Sequence, residues 1–145
     1  MQEQRLTRRV LKFWNMVRKH HDMPEIMRFN PAALEDIWPH CFRIVVEARG
    51  KNTVYKYEYM GEAITGIYGR DLTDMVVDQH AKNFPGSVLH PRFNEILHEK
   101  RPLHDDGHFI NEGGKLIKYR ACILPFGDGK KGVTHIVVGL TCRYF

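Results

Sequence analysis

Hydrophobic and polar positions alternate most clearly in one short segment, where three tyrosines are separated by single charged residues. Tyr55, Tyr57 and Tyr59 occupy every second position, and Lys56 and Glu58 lie between them. A period of two residues is typical of a β-strand that is buried on one face. The pattern therefore predicts a strand whose three aromatic rings all face the interior.

Short helices are predicted after this strand. Gly61 interrupts the alternation, and apolar residues then recur at helical spacing. Gly69 stands where the end of a helix favours a residue with positive φ. A further helix is predicted before Arg101-Pro102, and its apolar face consists of Leu89, Phe93, Ile96 and Leu97.

Four other segments have the composition of strands. Residues 41–48 are apolar on both faces, as is the middle of 133–145, which is typical of strands in the centre of a sheet. Residues 103–110 and 115–126 are separated by Asn-Glu-Gly-Gly, the composition of a tight turn. Together with the tyrosine strand they predict an α+β fold with five antiparallel strands and short helices between the second strand and the third.

The first twenty residues predict an amphipathic helix. Its apolar positions recur at helical spacing and form a single stripe: Leu6, Val10, Phe13, Trp14 and Val17. Such a stripe has to be buried, and we expect the helix to cover the outer face of the sheet. Two uses of the stripe stay open. The helix either closes the core of its own chain only, or it also packs against a second copy as the interface of a homodimer.

The excess positive charge of the chain is confined to this helix. The 145 residues include 22 Lys and Arg against 17 Asp and Glu, a net charge of +5. Residues 1–21 hold six of the basic residues and one of the acidic residues, so the remainder holds sixteen of each. A nucleic-acid surface that covers the whole domain is therefore not expected. Binding of nucleic acid or of a membrane surface through this one helix is a less favoured alternative.

Length and cysteine usage indicate one domain in a reducing compartment. A chain of this length can bury one core. No apolar run approaches the roughly 20 residues of a membrane span, and the charged N-terminus has no apolar signal core. Cys41, Cys122 and Cys142 lack the spacing of a metal site. We therefore expect a cytoplasmic protein with free thiols and no metal site.

The tyrosine strand, the short helix and Gly69-Arg70-Asp71-Leu72 together resemble the opening of a PAS domain. Other parts of the chain fall in the order that this resemblance predicts: Phe13-Trp14, Met23-Pro24, Asn30-Pro31, Trp38-Pro39, Arg101-Pro102 and residues 119–125. The chain looks like the small bacterial family in which one PAS-like domain, with an N-terminal helix, makes up nearly the whole protein.

The resemblance implies an architecture and a role. It implies short helices on the inner face of the sheet and the N-terminal helix on the outer face. Residues 1–40 would form a helical cap in the same domain as a PAS-like core of residues 41–145. The role would be that of a sensory or regulatory module in signal transduction, which binds a signalling protein not identified by the sequence.

The resemblance also implies a small cavity between the inner face of the sheet and the helices. Its lining would include Tyr57, Tyr59, Tyr68, His90, Phe93 and Tyr119. A buried tyrosine hydroxyl needs a hydrogen-bond partner, so such a cavity could hold a small polar or aromatic molecule. The favoured alternative is that the rings fill the cavity themselves and turn their hydroxyls to its rim.

The sequence bears differently on haem, flavin and metal sites. His90 lies in the region from which haem-binding PAS domains take their axial histidine, so a haem sensor is a rival hypothesis. The photochemistry of flavin-binding light sensors is excluded, because the position that needs a cysteine here holds Asp71-Leu72-Thr73. His104, Asp106 and His108 alternate on one face of a strand, which favours an exposed polar face over a metal site. No catalytic motif stands out, so we do not expect an enzyme.

Overall fold

Five antiparallel strands form one sheet in the computed structural model, which describes residues 2–19, 21–81, 83–130 and 132–144, with side chains from Leu6 onward. Their spatial order is β2-β1-β5-β4-β3, so the first and last strands of the chain lie at the centre. The bounds are β1 Cys41–Arg49, β2 Asn52–Met60, β3 Leu103–Ile110, β4 Leu116–Phe126 and β5 His135–Tyr144. The α+β fold and the five strands expected from the sequence are confirmed.

Three helices connect β2 to β3 and pack on the inner face of the sheet: α2 Glu62–Tyr68, α3 Pro85–Val88 and α4 His90–Glu99. Gly69 ends α2 with a φ of 105°, and its N–H donates to the Thr65 carbonyl. Pro91 lies in the first turn of α4, where a residue without an N–H removes no helical hydrogen bond. Both features follow from the glycine and proline positions in the sequence.

The N-terminal helix α1 (Gln2–Arg18) covers the outer face of the sheet, as predicted. It packs against β4 and β5, where Gly139 permits a close approach. A Cβ at this position would lie 3.0 Å from the Val10 side chain. The Trp14 indole N–H donates to the Pro125 carbonyl at 2.7 Å, which fixes the other end of the helix. No helix among the described residues is long and apolar enough to cross a membrane.

Three 3-10 turns lead from α1 to the first strand, at Ile26–Arg28, Pro31–Leu34 and Trp38–His40. The Asn30 side chain caps the second turn by accepting a hydrogen bond from the Ala32 N–H at 3.1 Å. A capping Asn followed by Pro at the first helical position thus begins this helical segment. These turns share a hydrophobic cluster with α1 and the outer face of the sheet.

The pairing of β1 with β2 contains an irregularity that the sequence did not reveal. Arg43 pairs with Tyr59 but Ile44 pairs with Tyr57, so Glu58 is an extra residue in β2. Such a β-bulge turns the following side chain to the other face. Tyr59 therefore leaves the inner face and stacks on Trp38, with ring centroids 4.4 Å apart. The prediction that Tyr59 lines an inner cavity is wrong, because strict alternation holds only in an unbroken ladder.

Candidate functional site

Tyr57 reaches across the inner core to the start of α3. Its ring is buried, and its hydroxyl oxygen accepts a hydrogen bond from the Gly86 N–H at 2.9 Å. A Cβ on Gly86 would lie 2.5 Å from this oxygen, so the glycine makes the contact possible. Burial raises the pKa of Tyr57, which keeps the phenol protonated at neutral pH. The hydroxyl thus holds α3 against the sheet.

Two more inner tyrosines are bonded to their own chain. The Tyr55 hydroxyl donates to Asn94 Oδ1 at 2.6 Å, which ties β2 to α4. The Tyr119 hydroxyl donates to Asp105 Oδ2 at 2.7 Å, which ties β4 to β3. Burial raises the pKa of Tyr55 to about 12, and burial followed by the Asp105 hydrogen bond raises that of Tyr119. Both phenols are therefore protonated donors.

Tyr68 and Phe93 complete the aromatic core. The Phe93 ring lies 5.3 Å from Tyr55, and the Tyr68 ring lies 5.6 Å from Phe84. The Tyr68 hydroxyl is buried near the Arg70 and Glu112 side chains but makes no hydrogen bond of standard geometry with them, and the buried Ser87 hydroxyl has no hydrogen-bond partner among the described residues. The predicted cavity residues apart from Tyr59 are thus brought together in one inner cluster, although binding of a ligand there stays a prediction.

His90 lies in the first turn of α4, at the edge of this cluster. Its ring packs edge-on against Tyr55, with centroids 5.2 Å apart, and Nδ1 lies 3.5 Å from the Asn94 amide. Burial, and after it the electrostatic effect of the nearby His80 side chain, lowers the pKa of His90. The imidazole is therefore neutral at pH 7 and has the protonation state of a metal ligand.

A cleft of about 570 Å³ opens beside His90, between β2 and residues 76–80. Much of its lining is polar and includes Asn52, Thr53, Asp78, Gln79 and His80. A haem site needs apolar walls around the macrocycle as well as an axial histidine. The donor is present, but the residues around His90 do not fit a haem.

The five residues predicted to form an interface on α1 divide into two groups. Leu6, Val10 and Trp14 are buried against the outer face of the sheet, whereas Phe13 and Val17 are only partly buried. The stripe therefore closes the core of its own chain first, and a smaller apolar part remains at the surface.

A groove of about 390 Å³ runs beside this remaining part, between α1 and the turn Pro31–Leu34. Its lining is apolar except for two basic residues, and consists of Phe13, Met16, Val17, Ala33, Leu34, Arg9 and Lys12. Met16 exposes 66% of its surface. Arg9 forms an ion pair with Asp36 at 2.5 and 2.7 Å, and this hydrogen-bonded contact lowers the pKa of the Asp36 carboxyl.

The alternating His104, Asp106 and His108 of β3 are exposed, as an outward polar face requires. Asp106 lies 3.5 Å from the Arg120 guanidinium, so its carboxylate already faces a cation. Among the described residues, no group of three or more His, Cys, Asp and Glu side chains could hold a metal ion.

The sequence did not reveal the residues that form hydrogen bonds with the tyrosine hydroxyls. It also did not lead to the exposed side of α1. Gly86, Asn94 and Asp105 are far from their tyrosines in sequence, and no periodicity links them. Met16 was detectable, since it lies one turn beyond Lys12 and three residues beyond Phe13 on the same side of a helix. The position of Met16 on α1 therefore indicates the groove, whereas the apolar stripe by itself does not indicate it.

The chain is similar to a known protein family and to a solved structure. The model of a family described as PAS domain matches residues 2–141. No curated protein matches the chain. The crystal structure of the PAS domain of a protein from Colwellia psychrerythraea is similar at 11% identity, with a TM-score of 0.48, and covers 79% of this chain and 93% of that one. The family match spans nearly the whole sequence, and the chain therefore belongs to the PAS domain family.

Proposed function

We propose that this PAS domain is a regulatory module of signal transduction that acts by binding another protein through the exposed side of α1. PAS domains are sensory and signalling modules that are generally not catalytic and that mediate protein interactions. The proposal assigns no catalytic step to the chain, and its output is made by binding alone.

The observation that carries the proposal is the contrast between the inner core and the surface of α1. Tyr55, Tyr57 and Tyr119 each use their hydroxyl in a hydrogen bond within the chain. On α1, by contrast, Met16 is exposed and Phe13 is only partly covered beside the groove. Apolar side chains that remain at a surface around a concave site are typical of an interaction site.

A charge placed in the groove tests this proposal. Met16→Glu should leave the fold intact because the side chain is largely exposed, and Met75→Glu is the control because Met75 is exposed outside α1. In affinity capture from a lysate of the source organism, we expect a protein that the wild type and Met75→Glu retain and that Met16→Glu loses. Equal recovery with all three chains would reject α1 as the binding element.

A homodimer through α1 is a second form of the proposal. It is supported by Phe13 and Val17, which keep part of their surface outside the core of the chain. The burial of Leu6, Val10 and Trp14 leaves these three unable to contact a second copy without unfolding. Light scattering that gives a dimer for the wild type and a monomer for Met16→Glu would support this form, whereas two monomers would discard it.

A small-molecule sensor is the second candidate function. It is favoured by the buried Ser87 hydroxyl, which lacks a hydrogen-bond partner among the described residues and could bond to a polar ligand. A haem sensor is the weaker version, since the cleft at His90 has a polar lining. A co-purifying molecule that is lost in Tyr57→Phe or His90→Ala, but kept in the exposed control His98→Ala, would support this candidate.

A cytoplasmic location is part of the proposal. It is supported by Cys41 and Cys122, whose buried thiols form no disulfide in the part of the chain that the structure describes, as is typical of a reducing compartment. Burial raises the pKa of the Cys41 thiol to about 12 and that of Cys122 to about 12, so neither thiol is reactive at neutral pH.

A further inference from the structure

We propose that the groove beside α1 binds an amphipathic helix of a partner protein, whose apolar face is flanked by Asp and Glu side chains. The inference rests on the proposed function, because it states the kind of partner that the exposed side of α1 would bind. Shape, charge and the burial of the apolar stripe each support it.

The shape of the groove matches a helix. Its lining on α1 extends from Arg9 to Val17, which is about 12 Å along the helix axis at 1.5 Å per residue. Two turns of a docking helix cover this length and present apolar side chains at positions i, i+3 or i+4, and i+7. The partly exposed Phe13 and Val17 on one wall and the exposed Ala33 on the other provide the apolar contact for those positions, whereas Leu34 is buried beneath Ala33's side of the groove.

The charge of the groove selects for carboxylates. Lys12 lines the groove, and the exposed Arg8 lies one turn before it, in an adjoining hollow that Lys12 and Met16 also line. Among the described residues, no carboxylate lies within ion-pair distance of Lys12 or Arg8. Like charges at this spacing repel each other, and acidic side chains of a partner would relieve that repulsion. The neighbouring Arg9 already has a carboxylate partner of this kind, because Asp36 from the adjacent segment forms an ion pair with it at 2.5 Å.

A second copy of the chain is a poorer occupant of the same groove. A two-fold axis through the groove would bring the Arg8 and Lys12 side chains of both copies together, and α1 offers no acidic residue among its described side chains to compensate. An anionic membrane is also a poorer fit. The stripe of α1 that would enter a bilayer, including Val10 and Trp14, is already buried against the sheet.

Peptide binding to the full chain tests the inference. The probe is a fluorescent fifteen-residue helical peptide with Leu at positions i, i+3, i+7 and i+11 and Glu at the positions beside them. Its matched control has Lys in place of every Glu. We expect saturable binding of the acidic peptide, weakened by salt, and no binding of the basic one.

Charge reversal of the protein provides the second half of this experiment. The double variant Arg8→Glu with Lys12→Glu should lose at least ten-fold in affinity for the acidic peptide and gain affinity for the basic one. Lys51→Glu, an exposed charge reversal in the β1–β2 turn, should change neither affinity. This reciprocal pattern distinguishes charge recognition from damage to the fold, because damage would not create a new affinity.

Three outcomes would overturn the inference. Equal binding of both peptides would show apolar contact without charge selection, and binding of neither would show no helix site. Binding of phosphatidylserine vesicles without the acidic peptide would replace the protein partner with a membrane. If no peptide binds but Met16→Glu dissociates a dimer or loses a captured protein, the inference fails and the proposed function stands. If Met16→Glu also changes nothing, both fail.

Discussion

At the scale of single residues, the inner tyrosines act as buried connectors between the sheet and the helices. The Tyr57 hydroxyl meets a buried backbone N–H, whereas the Tyr55 hydroxyl meets an amide on the exposed Asn94. The difference matters because a buried polar group that loses its partner cannot turn to water. The same chemical change should therefore have different costs at these two positions.

We predict that Tyr57→Phe destabilises the fold more than Tyr55→Phe. Loss of the Tyr57 hydroxyl leaves the Gly86 N–H unpaired and should reduce the free energy of unfolding by about 1–3 kcal/mol. Loss of the Tyr55 hydroxyl should reduce it by about 0.5–1.5 kcal/mol, because Asn94 can bond to water. Urea denaturation of the two variants measures this difference, and a larger cost at Tyr55 would contradict it.

His135 should make stability depend on pH. Its Nε2 lies 3.5 Å from Glu58 Oε1, the same oxygen that Arg43 contacts at 2.6 Å, and its Nδ1 lies 2.9 Å from the Thr134 hydroxyl. Burial lowers the pKa of His135 and Arg43 adds to this, while Glu58 acts in the opposite direction. The unfolded chain therefore takes up the proton first as the pH falls.

We predict that stability decreases as the pH falls from about 7 through the ordinary histidine pKa of about 6.5, and that His135→Gln reduces this decrease. The depressed pKa means that the folded state prefers the neutral imidazole, so its contribution is complete above that range and is lost below it. Unfolding midpoints measured between pH 5 and 8 test this, with the exposed His98→Gln as the control. An unchanged slope in His135→Gln would remove His135 as the cause.

At the scale of secondary structure, the helices and strands follow from local sequence, but the β-bulge in β2 does not. Gly69, Asn30-Pro31 and Pro91 mark helix ends that the structure confirms, because caps and prolines act within a few residues. The bulge at Glu58 depends on how β1 and β2 pair, which is a tertiary property. Sequence alternation therefore located the strand but misplaced Tyr59.

We predict opposite effects for alanine at two glycines near α2. A Cβ on Gly61 would lie 2.2 Å from the Pro39 carbonyl oxygen, and backbone atoms cannot move aside without distorting the strand. Gly61→Ala should therefore cost more than about 1 kcal/mol. Gly66 lies inside α2 with nothing near its Cβ position, so Gly66→Ala should stabilise by about 0.5–1 kcal/mol. Thermal denaturation of both variants would contradict this reasoning if the two shifts had the same sign.

We also propose that residues 1–40 and 41–145 fold as one domain. The cap contributes Leu6, Val10, Trp14, Phe29, Leu34 and Ile37 to the cluster on the outer face of the sheet. A chain of residues 41–145 alone would expose the partners of these side chains on the sheet: Cys41, Cys122, Leu124, Phe126 and Val137.

We predict that this shortened chain lacks a cooperative unfolding transition and binds a hydrophobic dye. The physical reason is the loss of apolar burial on one whole face of the sheet, at about 25 cal/mol for each Å² exposed. Calorimetry and dye fluorescence test this against the full chain. A cooperative transition at an unchanged temperature would show that the core folds without the cap.

At the scale of the whole molecule, the PAS architecture could be predicted from the sequence because its strand periods and turn residues are local and consistent. The placement of α1 on the outer face followed from its apolar stripe. Of the groove beside α1, only the wall formed by the helix, including Met16, could be predicted, since Ala33 and Leu34 reach it only through the path of the chain after the helix. Whether the core binds a ligand also could not be predicted, because it depends on how helices and strands pack together and not on any single segment.

The charge distribution is the molecular property that most directly bears on function. All of the net charge of +5 lies within residues 1–21, and the groove opens along the helix that carries it. In the core, the hydroxyls of Tyr55, Tyr57 and Tyr119 bond to their own chain, and the basic helix beside it has an uncovered apolar side. This arrangement is suited to binding a protein at the surface. The central claim is therefore that signalling occurs at α1 and does not require a molecule bound in the core.

Native mass spectrometry of the freshly purified full chain, with an absorption spectrum of the same sample, tests this claim most directly. We expect only the mass of the polypeptide or of its dimer, and only the absorption of its aromatic residues. A discrete additional mass, or a Soret band, would contradict the claim, because it would show that the core or the cleft at His90 holds a ligand and that the protein is a small-molecule sensor.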